Sequence, residues 1–148
     1  MESVRPTTGP EVALAEAVVR SLAEGDVLTL QRLVAPDVVD HSAAVGQPHG
    51  WPGVRERAMT LCARVPDSEV HVEVLSAAED TVLIRADLTT RGDAGDMAPQ
   101  PASGRLTMVL VLRFVDAMLT ELWTSSDLRL DQPGRPHALH DSRIRAAS

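Results

Sequence analysis

The sequence predicts an α+β protein in which three helices pack inside a curved antiparallel sheet of about four or more strands. Apolar residues recur every three or four positions up to about residue 65, which is the period of amphipathic helices. From residue 69 onward apolar and polar residues alternate, which is the period of strands with one buried face. Helices followed by a meander of strands give an α+β order, and a length of 148 residues suits one domain.

The helices are predicted over residues 10–24, 27–34 and 51–65. Pro10 suits a first helical turn, and Thr8 stands three residues before Glu11, which is the spacing of a capping box. The second helix is expected to end before Pro36, because the residue that precedes a proline avoids the helical conformation. Residues 36–50 show no sustained period and many turn residues, so we expect a loop there.

The strands are predicted over residues 69–75, 81–91, 104–115 and 118–128. Asp116 and Ala117 separate the last two strands and occupy the place of a tight hairpin turn. The loop of residues 92–103 contains two glycines and two prolines, and we expect it to act as a lid over a binding site. The sequence therefore predicts a flexible N-terminus over residues 1–9, one domain over residues 10–128 and a tail containing proline and arginine over residues 129–148.

The composition excludes several classes of function. All 14 basic residues are arginines, and 21 acidic residues bring the net charge to −7, which opposes nucleic-acid binding. The single Cys62 cannot form an internal disulfide, and no apolar run approaches the ~20 residues of a membrane span. The sequence contains no glycine-rich phosphate-binding loop and no zinc-type cluster of cysteine and histidine. We therefore expect a cytoplasmic protein without metal, nucleotide cofactor, nucleic-acid partner or membrane partner.

The chain resembles the SnoaL-like polyketide cyclases of the nuclear transport factor 2-like superfamily in three segments: AEGDVLTLQRLVAPDVVDHS, GVRERAMTLCARVPDSEVHVEVLSAAEDTVLIRADL and GRLTMVLVLRFVDAMLTELWTSSDL. The resemblance covers about residues 12–128 and rests on the order of several weak motifs. It implies a cone-shaped α+β barrel, usually dimeric, whose open end admits a small, mostly apolar molecule for acid/base chemistry without a cofactor. An open sheet with an apolar outer face also favours a homodimer.

The same resemblance implies catalytic roles for Asp127 and His41. The family's catalytic aspartate lies four residues after a tryptophan near the end of the last strand, as Asp127 follows Trp123. The family's histidine after the helical part matches His41 in VVDHS. A typical member has a second histidine, in Gly-Thr-His, that serves aldol ring closure, whereas this chain reads TTRG over residues 89–92. The usual catalytic pair for aldol cyclisation is therefore incomplete here.

A further set of candidate catalytic residues lies on the predicted strand of residues 81–91. Arg85, Asp87, Thr89 and Arg91 share one face of that strand, and Val82, Ile84, Ala86 and Leu88 share the other. With Asp127, Arg85 and Asp87 resemble the Asp-Arg-Asp site of limonene epoxide hydrolase-like proteins. Two carboxylates, one protonated and one ionised, can open an epoxide. The alternative is that the charged face simply contacts solvent, and the alternation does not decide between the two.

The predicted catalytic residues are Asp127, His41, Asp87 and Arg85, and the predicted substrate-binding residues are Trp123, Trp51, Arg91 and Met108. Structural roles are the alternative: a turn aspartate, a hydrogen-bonded loop histidine and tryptophans that pack in the core. The predicted function is a cofactor-free acid/base enzyme of secondary metabolism that closes a ring in a polyketide-like molecule, with epoxide opening as one route. The alternatives are an epoxide hydrolase and a non-catalytic module that binds a small ligand.

Overall fold

The computed structural model describes residues 9–90 and 104–130. Three helices and five strands follow one another in the order α1 (Pro10–Glu24), α2 (Val27–Leu33), β1 (Val34–Asp40), α3 (Trp51–Arg64), β2 (Ser68–Ala78), β3 (Thr81–Thr90), β4 (Gly104–Val115) and β5 (Met118–Leu130). The predicted α+β class, with three helices against a curved sheet, is confirmed. None of the described helices is long and apolar enough to cross a membrane.

The sheet has the strand order β1-β5-β4-β3-β2. Strands β2 to β5 form the predicted antiparallel meander, and β1 pairs in parallel with β5. The expectation of a loop from residue 36 was therefore wrong for its first five residues. Pro36 lacks a backbone N–H, but β1 has a strand on one side only, so the ladder tolerates it. A shift of register between Val34 and Val39 further hides the strand period.

The helix boundaries agree with the prediction to within one residue, but the cap of α1 differs from the predicted one. Gly9 is the N-cap of α1 and makes no side-chain capping bond, and Thr8 of the expected capping box lies outside the described residues. Helix α2 begins after Asp26, whose carboxylate accepts a hydrogen bond of 3.2 Å from the backbone N–H of Thr29. Such a cap satisfies one of the backbone donors that a helix N-terminus leaves unpaired.

The hairpin between β4 and β5 follows the prediction. Asp116 and Ala117 both have positive φ, at 52° and 65°, as the two central residues of a type I′ turn require. This turn matches the right-handed twist of the strands that it joins. It also sets the register of β4 against β5, and that register decides which face of β5 each residue occupies.

The core lies between the helices and one face of the sheet, which we call the inner face. Strand β3 contributes the fully buried side chains Val82, Ile84, Ala86 and Leu88 to it. From the helices, Val18, Val19 and Leu22 of α1 pack against the sheet. The side chains that alternate with the buried ones lie on the opposite, outer face. Arg85 and Asp87 of β3 are therefore on the outer face.

Candidate functional site

A cavity of about 360 Å³ lies between α3 and the inner face of β4 and β5. This volume falls within the range of about 300 to 1,000 Å³ that is usual for small-molecule sites. Its floor is apolar and consists of Leu106, Met108 and Leu110 of β4 together with Leu22 and Leu61. Its walls carry the polar side chains of Ser42, Gln47, Glu56, Arg57, Thr60, Arg64, Thr124 and Ser126. An apolar floor with a few polar wall groups suits an oxygenated small molecule.

A buried ion pair fixes one wall of this cavity. The side chain of Asp40, at the end of β1, is only 6% exposed, and its Oδ2 lies 2.7 Å from Nη2 and 3.0 Å from Nε of Arg57. The Gln47 side-chain amide donates to the same oxygen at 2.9 Å, and the backbone N–H of Ser42 donates to Oδ1 at 3.0 Å. Charge-assisted bonds of this kind are about twice as strong as neutral ones. Asp40 therefore holds the Arg57 guanidinium in place on the cavity wall.

Ser42 joins Arg57 to the sheet. Nη2 of Arg57 donates to the Ser42 carbonyl oxygen at 3.0 Å, and the Ser42 Oγ accepts a bond of 2.9 Å from the backbone N–H of Thr124. The hydroxyl of Thr124 is buried and has no hydrogen-bond partner within the described part of the chain. We call Ser42, Arg57 and Thr124 the polar corner of the cavity. It presents a fixed cation beside an unsatisfied hydroxyl, so it can bind an oxygen atom of a ligand.

Sequence reasoning missed Arg57, although the sequence carries a signal for it. Arg57 follows Val54 by three residues and precedes Leu61 by four, so it lies on the apolar face of α3. An arginine on such a face needs a buried partner or a ligand. The partner, Asp40, is 17 residues away in a segment that was expected to form a loop, so spacing alone could not have paired them.

The predicted epoxide-opening residues meet on the outer face, away from the cavity. Thr107 of β4 is paired with both Asp87 and Asp127, so the three form one row across β3, β4 and β5. The Thr107 hydroxyl donates to Asp87 Oδ1 at 2.8 Å, and Arg85 Nε lies 3.4 Å from Asp87 Oδ2. The structure thus brings Arg85, Asp87 and Asp127 to one face, but β4 lies between the two aspartates, which were expected on neighbouring strands. None of them is among the residues that line the cavity.

The predicted residues His41 and Trp123 also lie together outside the cavity. Their rings stack with centroids 4.3 Å apart and an interplanar angle of 6°. Nε2 of His41 lies 3.0 Å from Glu121 Oε1, and the other Glu121 oxygen accepts from Arg113 at 2.7 Å. The hydrogen bond with His41 and then that with Arg113 hold the pKa of Glu121 below its usual value. Arg113 also binds Asp80 at 3.2 Å, so a chain of charged groups runs along this edge.

Of the predicted substrate-binding residues, Met108 lines the cavity. Trp51 is half-buried at the start of α3 and packs against the core, and Arg91 lies outside the described residues. The proposed lid over residues 92–103 and most of the tail lie outside them as well. The catalytic roles assigned to Asp127, His41, Asp87 and Arg85 stay predictions. Over residues 9–90 and 104–130, no three side chains of histidine, cysteine, aspartate or glutamate gather where they could hold a metal ion.

Comparison with known proteins identifies a family. The family description "SnoaL-like polyketide cyclase" matches residues 12–129 of the chain. A comparison with functionally curated proteins finds no match. A solved structure of a proposed polyketide cyclase from Bacillus cereus is similar, with a TM-score of 0.64, 22% identity, and coverage of 80% of this chain and 74% of that one.

Two further solved structures from Streptomyces share the fold. IdmH, a proposed polyketide cyclase from Streptomyces antibioticus, has a TM-score of 0.63 and 24% identity, and the match covers 79% of this chain and 91% of that one. AclR, a proposed hydroxylase from Streptomyces galilaeus, has a TM-score of 0.63 and 21% identity, and the match covers 93% of this chain and 97% of that one. At these identities the likeness establishes the fold, and this fold carries more than one proposed chemistry.

Proposed function

The chain belongs to the SnoaL-like polyketide cyclase family, and we propose from this that it closes a ring in a small polyketide-like molecule held in the inner cavity. One observation carries the proposal: the cavity combines an apolar floor with a polar corner whose arginine is fixed by a buried carboxylate. The floor receives the carbon skeleton and excludes water from it. The corner receives an oxygen on which negative charge develops.

The proposed reaction joins an enolate carbon to a carbonyl carbon of the same molecule. A base removes a proton next to a carbonyl group, and the new carbon–carbon bond leaves an alkoxide that takes up a proton. Fixed donors stabilise such oxyanions most effectively when they are already in place, as Arg57 is. Glu56, at the exposed rim of the cavity, is the one carboxylate among the described lining residues, and we propose it as the base. The predicted Asp127 is the competing candidate.

Epoxide opening is the second candidate reaction, and one observation favours it. Asp87, Thr107 and Asp127 form a row on the outer face with Arg85 beside it, so two carboxylates and an arginine share one face of the sheet. Asp87 is half-buried, whereas Arg85 is 44% exposed. A dry environment is what separates the two carboxylate pKa values in sites of this type. The inner cavity has a buried apolar floor, which this row lacks, and therefore supports ring closure better than the row supports epoxide opening.

The test is product analysis by mass spectrometry with linear polyketones and hydroxy-epoxides as substrates. We expect cyclic product from the wild type and from Glu24→Gln, an exposed control at the end of α1. Glu56→Gln should lower the rate by about 10² to 10⁴, the usual contribution of a general base. Loss of product with Asp127→Asn alone would instead assign the chemistry to the outer row. No product from the wild type, with ligand binding retained, would identify a binding module.

A further inference from the structure

We propose that the polar corner selects ligands that carry a planar oxyanion, either a carboxylate or an enolised β-dicarbonyl group. This inference rests on the proposed function in one respect, namely that the ligand occupies the inner cavity. It adds the chemical class that the cavity recognises. The ligand oxygen would accept hydrogen bonds from the Arg57 guanidinium and from the Thr124 hydroxyl, while the rest of the ligand contacts the apolar floor.

Arg57 keeps donors for a ligand after its bonds within the chain are made. A guanidinium has five N–H groups. Nε and Nη2 donate to Asp40 Oδ2, and Nη2 also donates to the Ser42 carbonyl oxygen. Among the described hydrogen bonds none uses Nη1, which leaves its two N–H groups. The Arg57 side chain lines the cavity and is 23% exposed, and the proposal assigns these two free donors to a bound molecule.

The hydroxyl of Thr124 is a second, independent indication that the polar corner binds a ligand oxygen. The hydroxyl oxygen is buried on the cavity side of β5 and has no hydrogen-bond partner within the described residues. A buried polar group without a partner costs about 1 to 3 kcal/mol, so a ligand that supplies the partner recovers this energy. Ser42 contacts Thr124 through its Oγ and Arg57 through its carbonyl oxygen, so the two ligand-binding groups flank one residue. A carboxylate or an enolate can accept from both.

The described residues that line the cavity carry one more positive than negative charge. Arg57 and Arg64 are the cations of the described lining, and Glu56 is its carboxylate. Asp40, which neutralises part of the Arg57 charge, is not among the lining residues and borders a second hollow formed by residues 36–50. In the proposed reaction the proton of a β-dicarbonyl carbon passes to the Glu56 carboxylate. The enolate that remains keeps its charge at Arg57, so charge and protons balance.

The test measures binding by calorimetry at neutral pH with two matched pairs of probes. Cinnamic acid is compared with cinnamyl alcohol. The acidic β-diketone 5,5-dimethylcyclohexane-1,3-dione, which is ionised at neutral pH, is compared with 3,3-dimethylcyclohexanone, which lacks the second carbonyl group. We expect the wild type to bind at least one oxyanion probe about tenfold or more tightly than its neutral partner. Arg57→Gln should weaken the binding of that probe by about tenfold to a hundredfold, and Thr124→Val should weaken it by about threefold to tenfold. Neither substitution should change the affinity for the neutral probe by more than about threefold.

Two further variants keep the test interpretable. Arg55→Gln removes an exposed arginine from the same helix and should bind all probes like the wild type. If Arg57→Gln alone unfolds, the double variant Arg57→Gln with Asp40→Asn is measured in its place, because it removes both charges of the buried pair. The pair whose two members bind the wild type with different affinities identifies the ligand group, either the carboxylate or the enolate. Equal affinities within both pairs, or an equal loss for charged and neutral probes in Arg57→Gln, would overturn the inference. Discrimination without any cyclic product would overturn only the proposed ring closure.

Discussion

Asp40 controls the cavity without being among its lining residues. Of the ion pairs that the structure describes, its pair with Arg57 is the most buried. Asp40→Asn removes the charge while keeping the shape, and it turns an amide toward donors. We expect the free energy of unfolding to fall by about 2 to 3 kcal/mol, because bonds to a charged acceptor are lost and a buried arginine loses its partner. Urea unfolding followed by circular dichroism measures this loss.

Asp37 provides the control for that measurement, since it is an exposed aspartate three residues earlier on the same strand. Asp37→Asn should change the unfolding free energy by no more than about 0.5 kcal/mol. Asp40→Asn should in addition weaken binding of the charged probes, because Arg57 is no longer held on the wall. Equal stability of the two variants would contradict the role assigned to Asp40.

The linked polar groups of His41, Glu121, Arg113 and Asp80 make the stability of the fold depend on pH in the acid range. Bonds from His41 and then Arg113 lower the pKa of Glu121, and bonds from Thr81 and then Arg113 lower the pKa of Asp80. A carboxyl group whose folded pKa is lowered stabilises the fold above its unfolded pKa, and that stabilisation is lost as pH falls through the folded value. The unfolding free energies of wild type and Glu121→Gln should therefore differ most above the unfolded glutamate pKa of about 4.3 and converge as the pH falls through the lower folded value.

Unfolding in urea at a series of pH values between about 7 and about 3 measures this convergence. Arg113→Gln removes the guanidinium that Glu121 and Asp80 share, so it should reduce the same pH dependence. A constant difference between wild type and Glu121→Gln across the whole series would show that the carboxylate contributes no charge-dependent stability.

The candidate site could be predicted from sequence only where local patterns specify it. Met108 alternates with other apolar residues on β4, and the structure places it on the cavity floor. The placement of Arg57 depends on Asp40, 17 residues away, and that of Thr124 on the register of β5. Alternation groups the residues of a strand into two faces, but only tertiary packing decides which face lines a cavity.

At the level of elements, the start of α3 packs tightly against the segment before it. Gly53 is buried, and a Cβ atom there would overlap the carbonyl oxygen of Pro48 and approach Gln47 Nε2 to 3.1 Å. Alanine normally favours a helix over glycine by about 1 kcal/mol, but here the backbone would have to move. We expect Gly53→Ala to destabilise the fold by about 2 kcal/mol and to weaken ligand binding, because Gln47 lines the cavity and binds Asp40.

Gly46→Ala separates this clash from simple backbone strain. Gly46 has a φ of 88°, and no atom lies within 4 Å of the position that a Cβ would occupy, so the substitution should cost only about 1 kcal/mol. Thermal or urea unfolding of both variants makes the comparison. A Gly53→Ala protein as stable as the wild type would show that residues 41–50 shift to accommodate the added methyl group at little cost in free energy.

The elements themselves were predictable to different degrees. Helices α1 and α3 and strands β3 and β4 begin and end within one residue of the prediction, because each carries a long periodic pattern. Strand β1 was missed because it is short, contains Pro36 and is completed by pairing with β5, more than 80 residues later in the chain. Long-range pairing of this kind leaves no local period.

On the scale of the whole molecule, the outer face carries an apolar strip that a partner could cover. Leu83, Val111 and Trp123 are neighbours across β3, β4 and β5, and Trp123 is 38% exposed. Beyond the strip, Arg85 is paired with Asp87 and Arg113 with Glu121, so the flanking charges are already neutralised within the chain. Under a twofold axis the strip of one chain would face the same strip of another, and we propose that a second copy of the chain covers it.

Val111→Glu tests this homodimer, because a twofold axis through the strip would bring two unpaired carboxylates into a desolvated interface. We expect the wild type to sediment as a dimer at micromolar concentration and Val111→Glu to raise the dissociation constant at least about a hundredfold with an unchanged circular dichroism spectrum. Leu28→Glu is the matched control, since Leu28 is an apolar side chain 75% exposed on α2, and it should stay dimeric. A wild type that sediments as a monomer would show that the proposed dimer does not form. Dissociation by Leu28→Glu alone would show that the interface lies elsewhere. The apolar strip would then contact solvent, and its residues would serve only the packing within the sheet.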